Sequence, residues 1–215
     1  WNHPEHGLLY PDAFLPDAER YGFMRGLTTC VLGIGLDQVQ QWRSEAGPAN
    51  VAVNVSVSNL LDTQLPAQIR AMLDIRGLPG DALTIEVTEG ILMVDPDRAL
   101  AVLQQLRADG VRVSIDDYGT GYSSLSRLRR LPVTELKLDQ SFIRGIDVDD
   151  RAAAIVESTI RLAHSLRLEL VAEGIETESE LQCLTALGCD VGQGYHLGRP
   201  VSAERFQVLY SAALT

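Results

Sequence analysis

Six strand-like runs of this sequence each end at or near a carboxylate, an amide or an amine, and one run ends in the adjacent pair Asp116 and Asp117. Parallel strands that carry polar groups at their carboxyl ends are typical of the catalytic face of a (β/α) barrel. Carboxylate and amide oxygens on one face are the ligands that hard divalent cations prefer. The acid pair leads into residues 118–124, a loop of small residues that can come close to a ligand. The sequence therefore predicts a cation site at the carboxyl end of a parallel sheet.

The elements that must position these groups are short apolar strands. The runs are rich in β-branched and other apolar residues, and Gly, Pro or Asp punctuates several of their boundaries. The predicted strands are 51–56, 83–88, 111–115, 135–139, 168–172 and 189–192.

Helical patterns separate these strands. Asp95-Pro96 is an N-cap followed by proline at the first helical position, and Thr177-x-x-Glu180 is a capping box. Glycines stop three of the helices. The alternation of strands and helices with short loops predicts an α/β fold with a parallel sheet. Helices are expected near 14–20 and 27–45, before Gly77, from Asp95 to Gly110, from Asp149, from Thr177 to Gly188, and over 202–212.

The strand count bears on the architecture. A closed barrel of this type has eight strands and typically about 250 residues, whereas this chain offers six strands in 215 residues. We therefore expect a TIM-like (β/α) barrel whose first two strands would lie before Trp1. Because no long linker or low-complexity segment interrupts the pattern, residues 1–215 are interpreted as one domain.

The amino-acid composition limits the kinds of partner and environment that we expect for this chain. A net charge of -11 argues against a long nucleic acid held on a basic surface. Three cysteines, an odd and sparse set, suggest reduced thiols and a cytoplasmic setting. The longest apolar stretch, 27–36, contains two Thr and two Gly and is too short to span a bilayer, so no membrane insertion is expected here.

The run 116–125, Asp-Asp-Tyr-Gly-Thr-Gly-Tyr-Ser-Ser-Leu, resembles the signature loop of the EAL-domain cyclic di-GMP phosphodiesterases, in which Phe is commoner at the position of Tyr118. The resemblance covers the whole chain. The Glu-Ala-Leu motif that names the family is expected before Trp1, with an Arg next to Trp1, and is not in this sequence. The other matching segments are 2–9, 53–56, 86–89, 137–142, 172–177, 193–195 and 198–200.

This resemblance implies two metal ions per site, Mg²⁺ or Mn²⁺. It assigns Asn54, Glu86 and Asp116 to the first ion, together with the Glu of the Glu-Ala-Leu motif. Asp116 and Asp117 would hold the second ion, with Glu173 close by through a water. Considered apart from the other strand ends, Asp116-Asp117 could equally be a helix cap.

The resemblance also implies roles for residues near the metals. Lys137 would orient or polarise the attacking water. The structural alternative is a buried lysine paired with an acid, and that pairing is also part of the proposed role. Glu173 is the candidate base, or an acid that acts through a water, and Gln193 should hydrogen-bond a water near the metals. For both residues, a capping or loop hydrogen bond is the structural alternative.

Four further residues receive supporting roles from the resemblance. Glu89 would support the loop 117–124. Asp139 would steady Lys137 or contact a ligand, and Glu176 is either an acid near the site or a solvated charge. Pro200 would pack on a guanine or simply form the turn before the last helix.

The resemblance thus predicts a phosphodiesterase that hydrolyses cyclic di-GMP to linear 5′-pGpG in bacterial second-messenger signalling. A catalytically inactive receptor for the same nucleotide is the alternative, and a metal-independent glycosidase with paired acids is a distant third. The resemblance also implies a homodimer, and fusion to a sensor or GGDEF-type, cyclase-like domain within a cytoplasmic protein or the cytoplasmic part of a membrane-anchored one.

Overall fold

The computed structural model describes residues 1–45, 47–90, 94–121 and 125–213. A six-stranded, all-parallel sheet lies at its centre, and the strands follow one another across the sheet in chain order. The sheet is curled into a half-barrel, which confirms the α/β fold and the incomplete TIM-like barrel. The strands are β1 (Asn2–His3), β2 (Gly7–Leu8), β3 (Val51–Asn54), β4 (Leu83–Thr88), β5 (Arg112–Tyr118), β6 (Glu135–Leu138), β7 (Glu169–Ala172) and β8 (Val191–Gly192), of which β3 to β8 form the sheet.

Helices connect successive strands of the sheet, as parallel pairing requires. The 3-10 turns Gly80–Ala82 and Gln140–Phe142 flank strands β4 and β6. The helices are α1 (Pro11–Arg20), α2 (Met24–Glu45), α3 (Val57–Leu60), α4 (Leu65–Arg76), α5 (Pro96–Ala108), α6 (Leu125–Leu128), α7 (Asp150–Ser165), α8 (Glu178–Leu187) and α9 (Ala203–Ala213).

The predicted helix caps are present. The Asp95 carboxylate accepts a hydrogen bond from the backbone N–H of Arg98 (3.2 Å). Thr177 and Glu180 form the reciprocal capping box at the start of α8. Gly77 and Gly188 adopt the left-handed conformation that ends α4 and α8, because only glycine takes up this conformation without a steric cost.

Side chains alternate between the two faces of each strand, and this alternation separates the core from the polar face. On β5, Val113 and Ile115 are buried in the hydrophobic core, whereas Ser114 and Asp116 belong to the opposite face. On β6, Leu136 and Leu138 join the core while Lys137 lies between them. One face of the sheet is therefore packed under the helices, and the other carries the charged groups.

The observed boundaries differ from the predicted ones in three informative places. Strand β5 continues through the acid pair to Tyr118, with an irregular register between Ile115 and Tyr118. Residues 2–9, expected to be a loop, contain the antiparallel pair β1–β2. Helix α2 begins at Met24, three residues before the predicted start. Most of the other predicted ends agree to within about two residues, the usual uncertainty of such boundaries.

Candidate active site

The carboxyl ends of the parallel strands bring the predicted residues to one edge of the sheet. In the strand register Asn54 pairs with Glu86, and Thr88 pairs with Asp116. Further along the sheet, Leu138 pairs with Ala172, directly before Glu173, and Ala172 pairs with Gly192, directly before Gln193. Five of the six strand ends are therefore aligned in space as the sequence pattern predicted, and Lys137 reaches the same edge from β6.

Lys137 lies at the centre of this edge, and its side chain is 7% exposed. Its Nζ atom is 2.9 Å from Glu86 Oε1, 3.0 Å from Asp116 Oδ1 and 2.7 Å from Glu173 Oε1. Burial alone would lower the pKa of Lys137, but hydrogen bonds to Glu173, Glu86 and Asp116 outweigh it and raise the pKa above its ordinary value. The amine therefore stays charged and binds carboxylates from three different strands or strand ends.

Asn54 holds the Glu86 carboxylate from the other side. Its Nδ2 atom donates a hydrogen bond to Glu86 Oε2 (3.0 Å), while Oε1 of the same carboxylate contacts Lys137. Burial raises the pKa of Glu86, the contact with Lys137 opposes that rise, and the neighbouring charges of Asp116 and Glu135 add to it. Both carboxylate oxygens are thus held in fixed positions.

Asp117 adds a second acid next to Asp116. Its φ of 54° lies in the left-handed region, which is costly for a residue with a β-carbon. Burial raises the pKa of Asp117, and the charges of Asp116 and Asp139 raise it further. An aspartate that combines backbone strain with electrostatic repulsion is typical of a functional position rather than of a structural one.

The acids fit a divalent cation. Asp116, Asp117 and Glu173 each offer one carboxylate oxygen, and these oxygens lie within 4.8 Å of one another. Burial raises the pKa of Glu173, as do the charges of Asp116 and Glu86, while Lys137 lowers it. A bound cation would relieve the repulsion among these carboxylates, and oxygen donors of this kind suit hard divalent cations.

The predicted support residue Glu89 lies under the loop that follows Asp117. It is buried, and a β-carbon added to Gly121 would lie 3.1 Å from the Glu89 carboxyl carbon. Its Oε2 atom is buried and has no hydrogen-bond partner among the described residues. Residues 122–124 of the predicted loop lie outside the described part of the chain. Burial and the Glu89 charge together raise the pKa of Tyr118.

The remaining predicted residues lie around this cluster. The Asp139 carboxylate accepts from the backbone N–H of Ser141 (3.0 Å) and so caps the 3-10 turn after β6. A hydrogen bond from the Ser141 side chain contributes most to the lowered pKa of Asp139, and the backbone N–H of Ser141 lowers it further. Glu176 is half exposed and lies 3.7 Å from Arg144. These two acids thus make local contacts on the loops beside the cluster.

Gln193 and Pro200 lie in the wall of one cavity. The backbone N–H of Gln193 donates to the Ala172 carbonyl (2.8 Å), which fixes the chain where β8 ends. The cavity has a volume of about 520 Å³, and its lining also includes Trp42, Tyr195 and Phe206. It therefore places Gln193 and Pro200 beside an aromatic lining.

One residue of this region was not recognised from sequence as part of the site. Glu180, identified only as a helix-capping residue, also accepts a hydrogen bond from the backbone N–H of Gly145, 35 residues away (3.2 Å). The capping-box spacing signals the local contact, but no sequence pattern signals the distant one.

The fold and the site together define an α/β half-barrel with an acid-lined site at the carboxyl ends of its strands. The EAL domain family matches residues 1–200, and the chain belongs to that family. In the part of the chain that the structure covers, no helix combines the length and apolar character needed to cross a bilayer.

Curated relatives come from several bacteria. The chain is 45% identical over 215 residues to MucR of Pseudomonas aeruginosa, named a bifunctional diguanylate cyclase/cyclic di-GMP phosphodiesterase; the match covers 99% of this chain and 31% of that protein. It is 38% identical over 216 residues to the oxygen sensor protein DosP of Escherichia coli, covering 100% of this chain and 27% of DosP. The chain therefore spans only about a third or less of the length of these relatives.

Solved structures agree in fold. A structure described as the PaMucR phosphodiesterase in complex with c-di-GMP superposes with a TM-score of 0.88 at 43% identity, covering 96% of this chain and 84% of that one. The EAL enzyme Bd1971, in its cAMP- and cyclic-di-GMP-bound form, gives a TM-score of 0.90 at 32% identity, covering 98% of this chain and 58% of that one.

Proposed function

We propose that this chain is a metal-dependent phosphodiesterase that hydrolyses cyclic di-GMP to linear 5′-pGpG. The observation that carries the proposal is the convergence of Glu86, Asp116 and Glu173 on the amine of Lys137. Membership of the EAL family supports it, as do relatives that are named cyclic di-GMP phosphodiesterases.

The cation-binding roles follow from the chemistry of the donors. Asn54, Glu86, Asp116 and Asp117 would hold Mg²⁺ or Mn²⁺, two ions per site. Such ions, when bound, lower the pKa of a water and neutralise charge on the phosphoryl group. The amide of Asn54 adds an oxygen donor without adding a further negative charge to a site that must accept an anionic substrate.

The proton-handling roles fall to residues beside the acids. Protonated Lys137 donates its three hydrogen bonds to the carboxylates of Glu86, Asp116 and Glu173. By fixing these carboxylates it orients the attacking water. Glu173 accepts the proton of that water, since burial raises its pKa and makes it a stronger base. The water attacks phosphorus in line, the bond from phosphorus to the 3′-oxygen breaks, and the departing 3′-oxygen takes a proton from solvent to become a hydroxyl. Gln193 hydrogen-bonds a second water nearby.

The supporting roles complete the proposal. Glu89 holds the loop that follows Asp117, while Asp139 and Glu176 shape the neighbouring loops. Pro200 forms a wall against which a guanine base packs. The complete protein is a homodimer in which this chain is joined to a sensor or cyclase-like domain, and it acts in the cytoplasm.

Hydrolysis by the complete protein tests the proposal. Purified protein with cyclic di-GMP and Mg²⁺ should release linear 5′-pGpG, measured by chromatography, and a chelator should stop the reaction. Asp116→Asn should reduce turnover by about 100-fold or more. The matched control Asp81→Asn makes the same chemical change in an exposed ion pair with Arg43, before β4, and should leave turnover unchanged.

Three results would count against the proposal. Turnover that survives chelation would favour a metal-independent hydrolase. An Asp116→Asn variant as active as Asp81→Asn would remove the acid pair from the mechanism. Tight binding of cyclic di-GMP without any product would favour a receptor.

A further inference from the structure

The Glu180 carboxylate joins two loops of the catalytic face. Its side chain is buried, and its Oε2 atom accepts hydrogen bonds from the backbone N–H groups of Glu176 and Thr177 (3.0 Å each). Its Oε1 atom accepts from the backbone N–H of Gly145 (3.2 Å), in the loop between β6 and α7. An ordinary capping box satisfies only donors of its own helix. Here the same carboxylate also bridges to the neighbouring loop.

The segment that Glu180 holds lies directly beside Glu173. Between them, buried Ile175 donates its backbone N–H to the Gln193 carbonyl (3.1 Å), and its own carbonyl accepts from the backbone N–H of His196 (3.0 Å). The β7–α8 loop is therefore bonded to the loops on both of its sides. Glu180 holds residues 176 and 177, which follow Ile175 at the end of this loop.

The two bridged loops pack closely. Gly174 has a φ of 73°, and a β-carbon there would lie 2.4 Å from the Gln140 β-carbon. A small shift of the β6–α7 loop would therefore press on the residue next to Glu173. Because burial alone would raise the pKa of Glu180 but three backbone donors hold it below its ordinary value, the bridging group is a carboxylate at neutral pH.

We infer that Glu180 is a positioning residue for the reaction: its bond to Gly145 sets the position of the loop that carries Glu173 and, through Ile175, that of Gln193. This inference rests on the proposed function. Catalytic geometry tolerates only small displacements, so losing one bond that fixes a loop reduces turnover without removing any group that touches the substrate.

Glu180→Gln separates the bridge from the helix cap. The glutamine oxygen can still accept from the Glu176 and Thr177 N–H groups, but its amide nitrogen is a donor and cannot accept from Gly145. The complementary variant is Thr177→Ala, which removes the hydroxyl that accepts from the Glu180 backbone N–H (3.2 Å) and leaves the Gly145 bond in place. Glu180→Gln loses the bridge and keeps the helix cap, whereas Thr177→Ala keeps the bridge and loses the hydroxyl half of the cap.

Steady-state kinetics and hydrogen exchange on the complete protein test the inference. We expect Glu180→Gln to lower kcat by roughly 10-fold to 100-fold, with a change in KM of less than about twofold. Thr177→Ala should lower Tm by about 2–4 °C and leave kcat unchanged. In exchange measurements without substrate, the amides of Gly145 and Ile175 should exchange faster in Glu180→Gln than in Thr177→Ala.

The outcomes separate the two claims. If the wild-type protein hydrolyses cyclic di-GMP and Glu180→Gln keeps the wild-type kcat, the positioning role is wrong. If the wild-type protein shows no hydrolysis, the proposed function fails, and the exchange of the Gly145 and Ile175 amides alone decides whether Glu180 fixes the loops. Equal exchange in both variants would overturn the inference.

Discussion

The Nζ atom of Lys137 lies 2.7 Å from Oε1 of Glu173, and the same nitrogen also contacts Glu86 and Asp116. Lys137 is the only lysine in the sequence, since every other member of its 18 Lys and Arg residues is an arginine. An ammonium group offers three donors around one point, whereas a guanidinium is a planar fork. Three carboxylates that converge from separate strand ends therefore match lysine and not arginine.

Removing this amine should destabilise the metal-free protein. Lys137→Met leaves three carboxylates without their shared cation, and we expect the free energy of unfolding to fall by about 3–5 kcal/mol. Added Mg²⁺ should restore part of the loss, because a bound cation neutralises the same groups. Chemical denaturation with and without Mg²⁺ measures both effects.

The control Arg161→Met removes an exposed partner of Glu157 and should change stability by less than about 0.5 kcal/mol. Equal losses in the two variants would contradict this account.

The stabilisation from Glu180 should depend on pH in a defined direction. Its pKa in the folded protein is lowered from the ordinary value of 4.5 because backbone donors outweigh burial. A carboxylate with a lowered folded pKa stabilises the protein above its unfolded pKa, and this contribution is lost as pH falls through the folded value. The difference in unfolding free energy between the wild type and Glu180→Gln should therefore shrink below about pH 4.5. Denaturation at a series of pH values measures it, and a difference that stays constant down to the lowest pH would argue against the assignment.

The sequence predicted the architecture because the decisive signals are local. Asp95-Pro96, the capping box at Thr177 and the stop at Gly188 depend on residues within a few positions of one another. The six strand ends were identified for the same reason, since each carries its polar residue at or next to its own end. Parallel pairing then brings those ends together, and so the location of the candidate site could be predicted without coordinates. The roles of its residues come from the family resemblance and stay predictions.

The unpredicted features depend on contacts between distant segments or on very short elements. Gly145 carries no pattern that points to Glu180, because the bond depends on how the two loops pack. Strands β1 and β2 have two residues each, too few for an alternating pattern to be visible. Strand β5 continues past Ile115 because Tyr118 still pairs with Leu138 across an irregular register, and such bulges have no reliable sequence signal.

The close contact between Gly194 and Ile175 should make position 194 intolerant of a side chain. A β-carbon there would lie 2.2 Å from the Ile175 carbonyl oxygen and 2.3 Å from its nitrogen, and both are backbone atoms. We expect Gly194→Ala to lower the free energy of unfolding by about 1–3 kcal/mol and to reduce turnover by displacing Gln193.

The matched control for this substitution is Gly198→Ala, in the same loop. A β-carbon at Gly198 would meet no atom of the described residues within 4 Å. In thermal denaturation and turnover assays, Gly198→Ala should therefore behave like the wild type, whereas Gly194→Ala should be less stable and less active. A Gly198→Ala variant as unstable as Gly194→Ala would show that the loop responds to any loss of glycine and not to this contact.

Because Asp117 has a left-handed backbone, we expect its substitution by glycine to change stability and activity in opposite directions. Asp117→Gly relieves the backbone cost of a φ of 54° and removes one charge from a repulsive group. Stability should therefore rise by about 0.5–1 kcal/mol, while turnover falls sharply because a proposed metal ligand is lost. Arg167→Gly relieves a similar φ of 60° at an exposed position and should stabilise the protein without loss of turnover. Loss of stability in Asp117→Gly would show that the carboxylate also has a structural role.

The conformation of Asp117 also bears on how such a domain can change over evolutionary time. Asparagine and glycine are the residues most at ease in a left-handed backbone, and asparagine is a single-nucleotide neighbour of aspartate in the genetic code. A lineage can therefore discard this acid in one step while retaining its fold. On the proposed function, turnover and not folding requires an aspartate at this position, and a single substitution would yield a folded chain that has lost one metal ligand.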